Sequence, residues 1–126
     1  MKVVIETAAA PKAIGPYSQA VKANGFLFVS GQIPVEPETG QMTAVDVVAQ
    51  TKQVMENLGA ILNAEGLGFA DVVKTTIYLT DLSEFARVNE AYGAYFESAP
   101  PARATVQVAA LPKGAKVEIE AIAALR

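Results

Sequence analysis

The chain has neither cysteine nor histidine among its 126 residues. Without cysteine there is no disulfide framework, no zinc–thiolate site and no thiol nucleophile. Without histidine, the commonest general base and the commonest metal ligand are both missing. Any chemistry falls to carboxylates, tyrosines, hydroxyls, cations, backbone groups and water. Long apolar runs are lacking too, and none approaches the roughly 20 residues of a membrane helix. The opening Met1-Lys2-Val3-Val4-Ile5-Glu6 meets charge too early for a signal peptide, so the expectation is a soluble cytoplasmic protein. Cations are not in excess: the formal net charge is −3, which argues against a nucleic-acid surface of clustered Lys and Arg. No repeat, low-complexity tract or linker interrupts the chain. Its length predicts a single domain over residues 1–126, large enough to bury a core without disulfides or metals.

What is present reads as alternating strands and helices. Residues 2–7 are a short β-prone run, and residues 8–16 form a loop punctuated by Pro11 and Gly15-Pro16. Tyr17 follows directly, as a packing aromatic with its hydroxyl at the surface. Residues 18–23 read as a strand, Asn24-Gly25 as a hairpin turn and residues 26–33 as the returning strand. Gly31 inside that strand marks a bulge or the close approach of a backbone or ligand. After a surface loop, Thr43-Ala44-Val45-Asp46 has capping-box spacing, with Asp46 expected in the first helical turn. Val47, Val48, Val54, Met55, Leu58, Ile61 and Leu62 form one stripe of a long helix that Gly66 ends. A β-branched strand over 72–80 follows. Asp81-Leu82-Ser83-Glu84 opens a second helix, whose stripe is Leu82, Phe85, Val88, Tyr92 and Phe96, with Asn89 on its edge.

Pro100-Pro101 then stop the chain, and two short alternating runs end it. In the first, Arg103, Thr105 and Gln107 share one face and Ala104, Val106 and Val108 the other. In the second, Glu118 and Glu120 share one face and Val117, Ile119 and Ala121 the other. The connection between them carries Pro112 and Gly114, which suits a turn between paired strands. Taken alone, these residues describe an Arg–Glu pair across a half-solvated sheet.

Pro-Ala-Arg-Ala-Thr-Val at 101–106, Leu111, and Val-Glu-Ile-Glu-Ala-Ile-Ala at 117–123 resemble the C-terminal signature of the RidA/YjgF family of imine and enamine deaminases. Ala-Ile-Gly-Pro-Tyr-Ser-Gln-Ala at 13–20, Val-Ser-Gly-Gln-Ile-Pro at 29–34, Val-Lys-Thr-Thr at 73–76 and Asp81-Leu82 resemble it as well. The resemblance spans essentially the whole chain, with the motifs in order. It implies an α+β, chorismate-mutase-like fold of order β-β-β-α-β-α-β-β: a mixed six-stranded sheet with two helices on one face. Two helices cover only one face of so wide a sheet, so self-association is expected; the resemblance implies a homotrimer with a site in each intersubunit cleft. It places Tyr17 at the site's rim and the backbone of Ser30-Gly31 and the side chain of Asn89 along it.

The activity implied is hydrolytic deamination of small 2-imino acids, or their 2-enamine tautomers, to 2-keto acids and ammonia. Arg103 is expected to bind the substrate carboxylate through a bidentate fork. Glu118 is expected to polarise the attacking water and to help a proton reach the departing nitrogen, with Glu120 as second candidate. No cofactor or metal is expected, because a protonated imine is already a strong electrophile. Thr105 stands where relatives often carry cysteine, which leaves the water mechanism standing and weakens any thiol-based one. Two other readings remain open: a module that binds 2-keto acids without turnover, and an endoribonuclease or translation inhibitor served by Lys52, Lys74 and Lys113.

Overall fold

The computed structural model describes residues 1–126. It contains β1 (Val3–Ile5), β2 (Ala20–Ala23), β3 (Phe26–Gln32), α1 (Val47–Ala64), β4 (Val72–Leu79), α2 (Phe85–Gly93), β5 (Ala102–Gln107) and β6 (Val117–Ala124). The order of elements is the one the sequence predicts. The six strands form a single sheet in the order β1-β2-β3-β6-β4-β5. Strands β4 and β5 run parallel, joined through α2 as a crossover requires; every other neighbouring pair is antiparallel. Asn24 and Gly25 both take positive φ, the turn that suits a two-residue hairpin between β2 and β3.

Both helices lie on one face. There Leu27, Val29, Ile77, Leu79, Val117 and Ile119 meet Val54, Met55, Leu58, Ile61 and Leu62 of α1 and Val88 and Tyr92 of α2. Each such side chain contributes about 1.5–3 kcal/mol by leaving water. The opposite face carries no helix. Phe26, Phe28 and Val106 stand on it, each at least 40% exposed.

The helix ends differ in detail from the capping boxes read in the sequence. Asp46 is itself the N-cap of α1 and accepts the Val48 N–H, whereas Thr43 donates to the Glu36 carboxylate. The helix starts one residue after Asp46 because the short carboxylate reaches an N–H only two residues on. Asp81 accepts from Ser83 N and caps a 3-10 turn over Leu82–Glu84, so α2 begins only at Phe85. Leu82 and Phe85 consequently stay partly exposed, at 43% and 36%, and only Val88 and Tyr92 of the expected stripe are fully buried within α2. Gly66, at φ +70°, closes α1 as expected, with Leu67 N donating back to Leu62 O.

One expectation is overturned. The strands β5 and β6 do not pair; β4 lies between them. The turn at Pro112–Gly114 therefore carries the chain past β4 rather than folding one strand onto the next. A βαβ unit claims the parallel place beside β4 for β5, so β6 has only the other side of β4 to occupy.

Candidate functional site

Register decides where the polar side chains of the last two strands go. Arg103 lies opposite Thr75 and Thr105 opposite Ile77. Thr75 and Ile77 are buried under the helices, and directly opposed residues point the same way, so Arg103, Thr105 and Gln107 are on the helix-covered face. Glu118 lies opposite Tyr78 and Glu120 opposite Thr76. These are the alternate positions of β4, so both carboxylates are on the open face. The guanidinium and the carboxylates of one chain thus sit on opposite sides of the sheet, two strand spacings or roughly 10 Å apart before the side chains diverge. An Arg–Glu pair within the chain is excluded. On β5 the apolar side, with Ala104 and Val106, faces outward, and the polar side faces α2.

Around Arg103 the helix supplies a fixed seat. Asn89 Oδ1 accepts from Nη1 at 2.6 Å. The guanidinium carbon stands 5.4 Å from the ring centroids of both Phe85 and Tyr92, within cation–π range. Tyr92 is itself held, its hydroxyl 2.7 Å from Thr75 Oγ1. Phe85, Asn89 and Tyr92 fall at spacings of four and three, so one helix face presents all of them to the same strand. The ion pairs of the chain join Lys22 to Glu65, Arg87 to Asp46 and Glu84, and Arg126 to Asp71. Arg103 therefore has no carboxylate partner. Beside it, the Thr105 hydroxyl is buried without a hydrogen-bond partner, which a polar group tolerates at a cost of about 1–3 kcal/mol.

On the open face, Glu118 is half-buried and lines a cavity of about 720 Å³ together with Tyr17, Gly31, Lys12, Ile14 and Lys113. Burial pushes its carboxyl above the usual range, and the charge of Glu120 pushes it further. Tyr78, opposite Glu118, is also raised, first by burial and then by Glu120 and Glu118, so its phenol keeps its proton. Glu120 is exposed and lines a different depression, with Phe28, Lys74 and Thr76. One strand face thus presents the two glutamates to different surroundings, and only Glu118 shares a cavity with Tyr17 and Gly31.

Gly31 is the bulge that the sequence suggested, and what approaches it closely is a side chain rather than a backbone or ligand. The pairing of β3 with β6 shifts between Val29 and Gln32, which is a bulge. A Cβ at residue 31 would overlap Oε2 of Glu118 and stand 2.9 Å from its Cδ. The missing side chain is what lets Glu118 lie against the bulge. Ser30 next to it is engaged within the chain: its N–H donates to Gln19 O at 2.9 Å and its hydroxyl to Ser18 O at 2.6 Å. Of that pair, Gly31 rather than Ser30 lines the cavity. Tyr17 is 54% exposed at the rim.

Sequence reasoning missed the buried amides. Gln19, Gln50 and Asn57 are each at most 4% exposed. Asn57 donates to Ile33 O and Val35 O, and Gln50 joins Ala44 O to Lys116 N. Polar positions inside an apolar helical stripe are the signal that could have found the last two. Lys52, Lys74 and Lys113 line three separate depressions and form no continuous basic track.

A family model described as Endoribonuclease L-PSP matches residues 7–125. The chain is 66% identical over 116 residues to Protein DfrA of Myxococcus xanthus, covering 90% of this chain and 88% of that one. It is 53% identical over 120 residues to the 2-iminobutanoate/2-iminopropanoate deaminase of Mus musculus, covering 95% and 89%. The crystal structure of RidA from the Antarctic bacterium Psychrobacter sp. PAMC 21119 matches with a TM-score of 0.93 at 49% identity, covering 98% and 99%. The motifs, the sheet with its two helices and these matches agree: the chain belongs to the Endoribonuclease L-PSP family, the RidA/YjgF family whose signatures it carries.

Proposed function

We propose that this chain hydrolyses small 2-imino acids and their 2-enamine tautomers to 2-keto acids and ammonia, in sites completed between copies of the chain in a homotrimer. The observation that carries the reading is the seated, unpaired Arg103 on the helix-covered face of the sheet and the half-buried Glu118 on the open face. An unpaired guanidinium held by an amide and two rings is preorganised for a bidentate carboxylate. A carboxylate raised toward neutrality beside a cavity suits proton transfer. Only a second copy can bring the two to one small molecule. A head-to-tail interface, with the helix-side edge of one chain against the open face of the next, closes into a ring; the family resemblance supplies the number three. Burying Phe26, Phe28 and Val106 would supply its apolar part.

In such a site, Arg103 and Asn89 of one copy hold the substrate carboxylate, and the Thr105 hydroxyl gains a polar partner. Glu118 of the next copy takes a proton from water as the water oxygen adds to the carbon of the protonated imine. The resulting carbinolamine carries hydroxyl and amine on that carbon. Glu118 returns the proton to nitrogen, the C–N bond breaks as the C=O forms, and the hydroxyl proton passes through Glu118 to the departing ammonia, which leaves as ammonium. Most of the gain comes from holding water against a fixed carbon.

The test generates the imine in situ from serine or threonine with a pyridoxal-phosphate-dependent dehydratase and times keto-acid release with and without this protein. Faster release supports the reading, and identical rates overturn it. Sedimentation at micromolar concentration is expected to give three times the 13.2 kDa chain mass. A concentration-independent monomer mass would contradict the shared site.

A further inference from the structure

Residues 7–18 leave the sheet after β1 and return to it at β2 with neither helix nor strand between. This segment carries Lys12, Ile14 and Tyr17, which line the cavity that holds Gly31 and Glu118. Irregular chain of this length keeps one shape only when something closes its ends together. Here a single side chain does so. Gln19 is 4% exposed. Its Oε1 accepts the Thr7 N–H at 2.7 Å, and its Nε2 shares two protons among the carbonyls of Thr7, Ala10 and Pro11 at 3.0, 3.3 and 2.8 Å. The far end of the loop is thereby fastened to the residue at which the loop rejoins the sheet. The main chain of the same residue accepts the Ser30 N–H, so the Tyr17 loop and the Gly31 bulge share one anchor.

Only an amide fits this place. An apolar side chain would leave a part-buried N–H and three carbonyls with one partner fewer each. A carboxylate would keep the Thr7 N–H but turn an oxygen without a proton toward the three carbonyls.

We infer that Gln19 is a positioning residue for imine hydrolysis, fixing the Tyr17 loop at the cavity where Glu118 works. The inference rests on the function proposed above. Gln19 lies behind the loop and acts through it; the loop and not the amide meets the substrate.

The experiment is a double-mutant cycle on the whole protein in the coupled imine assay, with wild type, Gln19→Ala, Tyr17→Ala and the double variant. Gln19→Ala is expected to lower kcat/KM roughly 10- to 100-fold, since misplacement by about 1 Å costs that much, with the greater part of the change in KM. In the Tyr17→Ala background the same change is expected to cost less than about threefold, because coupled sites are not additive. Equal losses in both backgrounds, or an unchanged kcat/KM, overturn the inference, even if Gln19→Ala melts earlier. Should Gln19→Ala fail to fold, Gln19→Glu keeps the shape and the bond to Thr7 N–H, and the same cycle with it decides. Acceleration by the wild type with an additive cycle overturns the role of Gln19 alone. No acceleration by the wild type overturns the deaminase reading and this inference with it.

Discussion

Mixing Arg103→Ala chains with Glu118→Gln chains is expected to restore imine hydrolysis that neither variant has alone. Arg103 and Glu118 of one chain diverge from opposite faces of the sheet, with β4 between their strands. A site that uses both must take Arg103 from one copy and Glu118 from another. In a three-membered ring that holds both kinds of chain, one interface in three joins a native Arg103 to a native Glu118, so about a third of the wild-type rate returns. Arg103→Ala by itself is expected to lose roughly a hundredfold or more in kcat/KM, about 3 kcal/mol, as a charge-assisted carboxylate contact disappears. Arg103→Lys recovers little of it, because an ammonium cannot make the planar fork or stack between Phe85 and Tyr92. The measurement is the coupled assay on co-refolded chains bearing two different tags, purified through both. A mixture as inactive as its components would sink the shared site.

The second large effect belongs to Glu118. Replacing it with Gln keeps size and a hydrogen-bonding group but removes the base, and turnover is expected to fall roughly 10²–10⁴-fold. Affinity for a 2-keto acid is expected to change little or tighten, since the proposed site assigns carboxylate binding to Arg103 and a nearby negative charge has gone. Calorimetric titration and the coupled assay on the same variant measure both quantities. Equal losses in binding and rate would reassign Glu118 to a binding role, and unchanged turnover would pass its place to Glu120. The acid limb of the wild-type rate carries a sign as well. In the proposed mechanism Glu118 is a base only when ionised, and burial and Glu120 both raise its pKa. The rate should therefore fall, as pH drops, at a pH above that of an ordinary carboxylate. Removing the like charge with Glu120→Gln shifts that limb to lower pH; a limb that stays in place would separate the two groups electrically.

How much of this was legible follows from what each pattern encodes. Turns are local, so Asn24-Gly25, Gly66 and the order of the strands and helices are legible in the sequence, while both helices start three or four residues later than their box spacings indicate. The carboxylate of Asp46 competed with the box spacing from Thr43 and won, because one side chain reaches the nearest free N–H without help from a partner. The stripe of α1 was legible as apolar positions, but the amides Gln50 and Asn57 within it were passed over. Their partners are loops 6 to 66 residues away in the chain. Gly31 within a strand signals a bulge or a close approach, yet Glu118, the group that approaches it, lies 87 positions later and on another strand.

The amino-acid sequence by itself determined the elements, the family and the residue types available for chemistry: no thiol, no imidazole, one guanidinium and two carboxylates in the last two strands. Alternation also determined that Glu118 and Glu120 share a face and that Arg103 shares one with Thr105. Which of those faces turns toward the helices is a different kind of information. It is set by the strand next door and by the register with it, and those are long-range choices made by packing. Tertiary structure alone inserted β4 between β5 and β6, sent Arg103 to α2 and Glu118 to the bulge at Gly31, and divided the two glutamates between different surroundings. A period of two records that side chains alternate, but only a neighbouring strand and a core decide which side is inside.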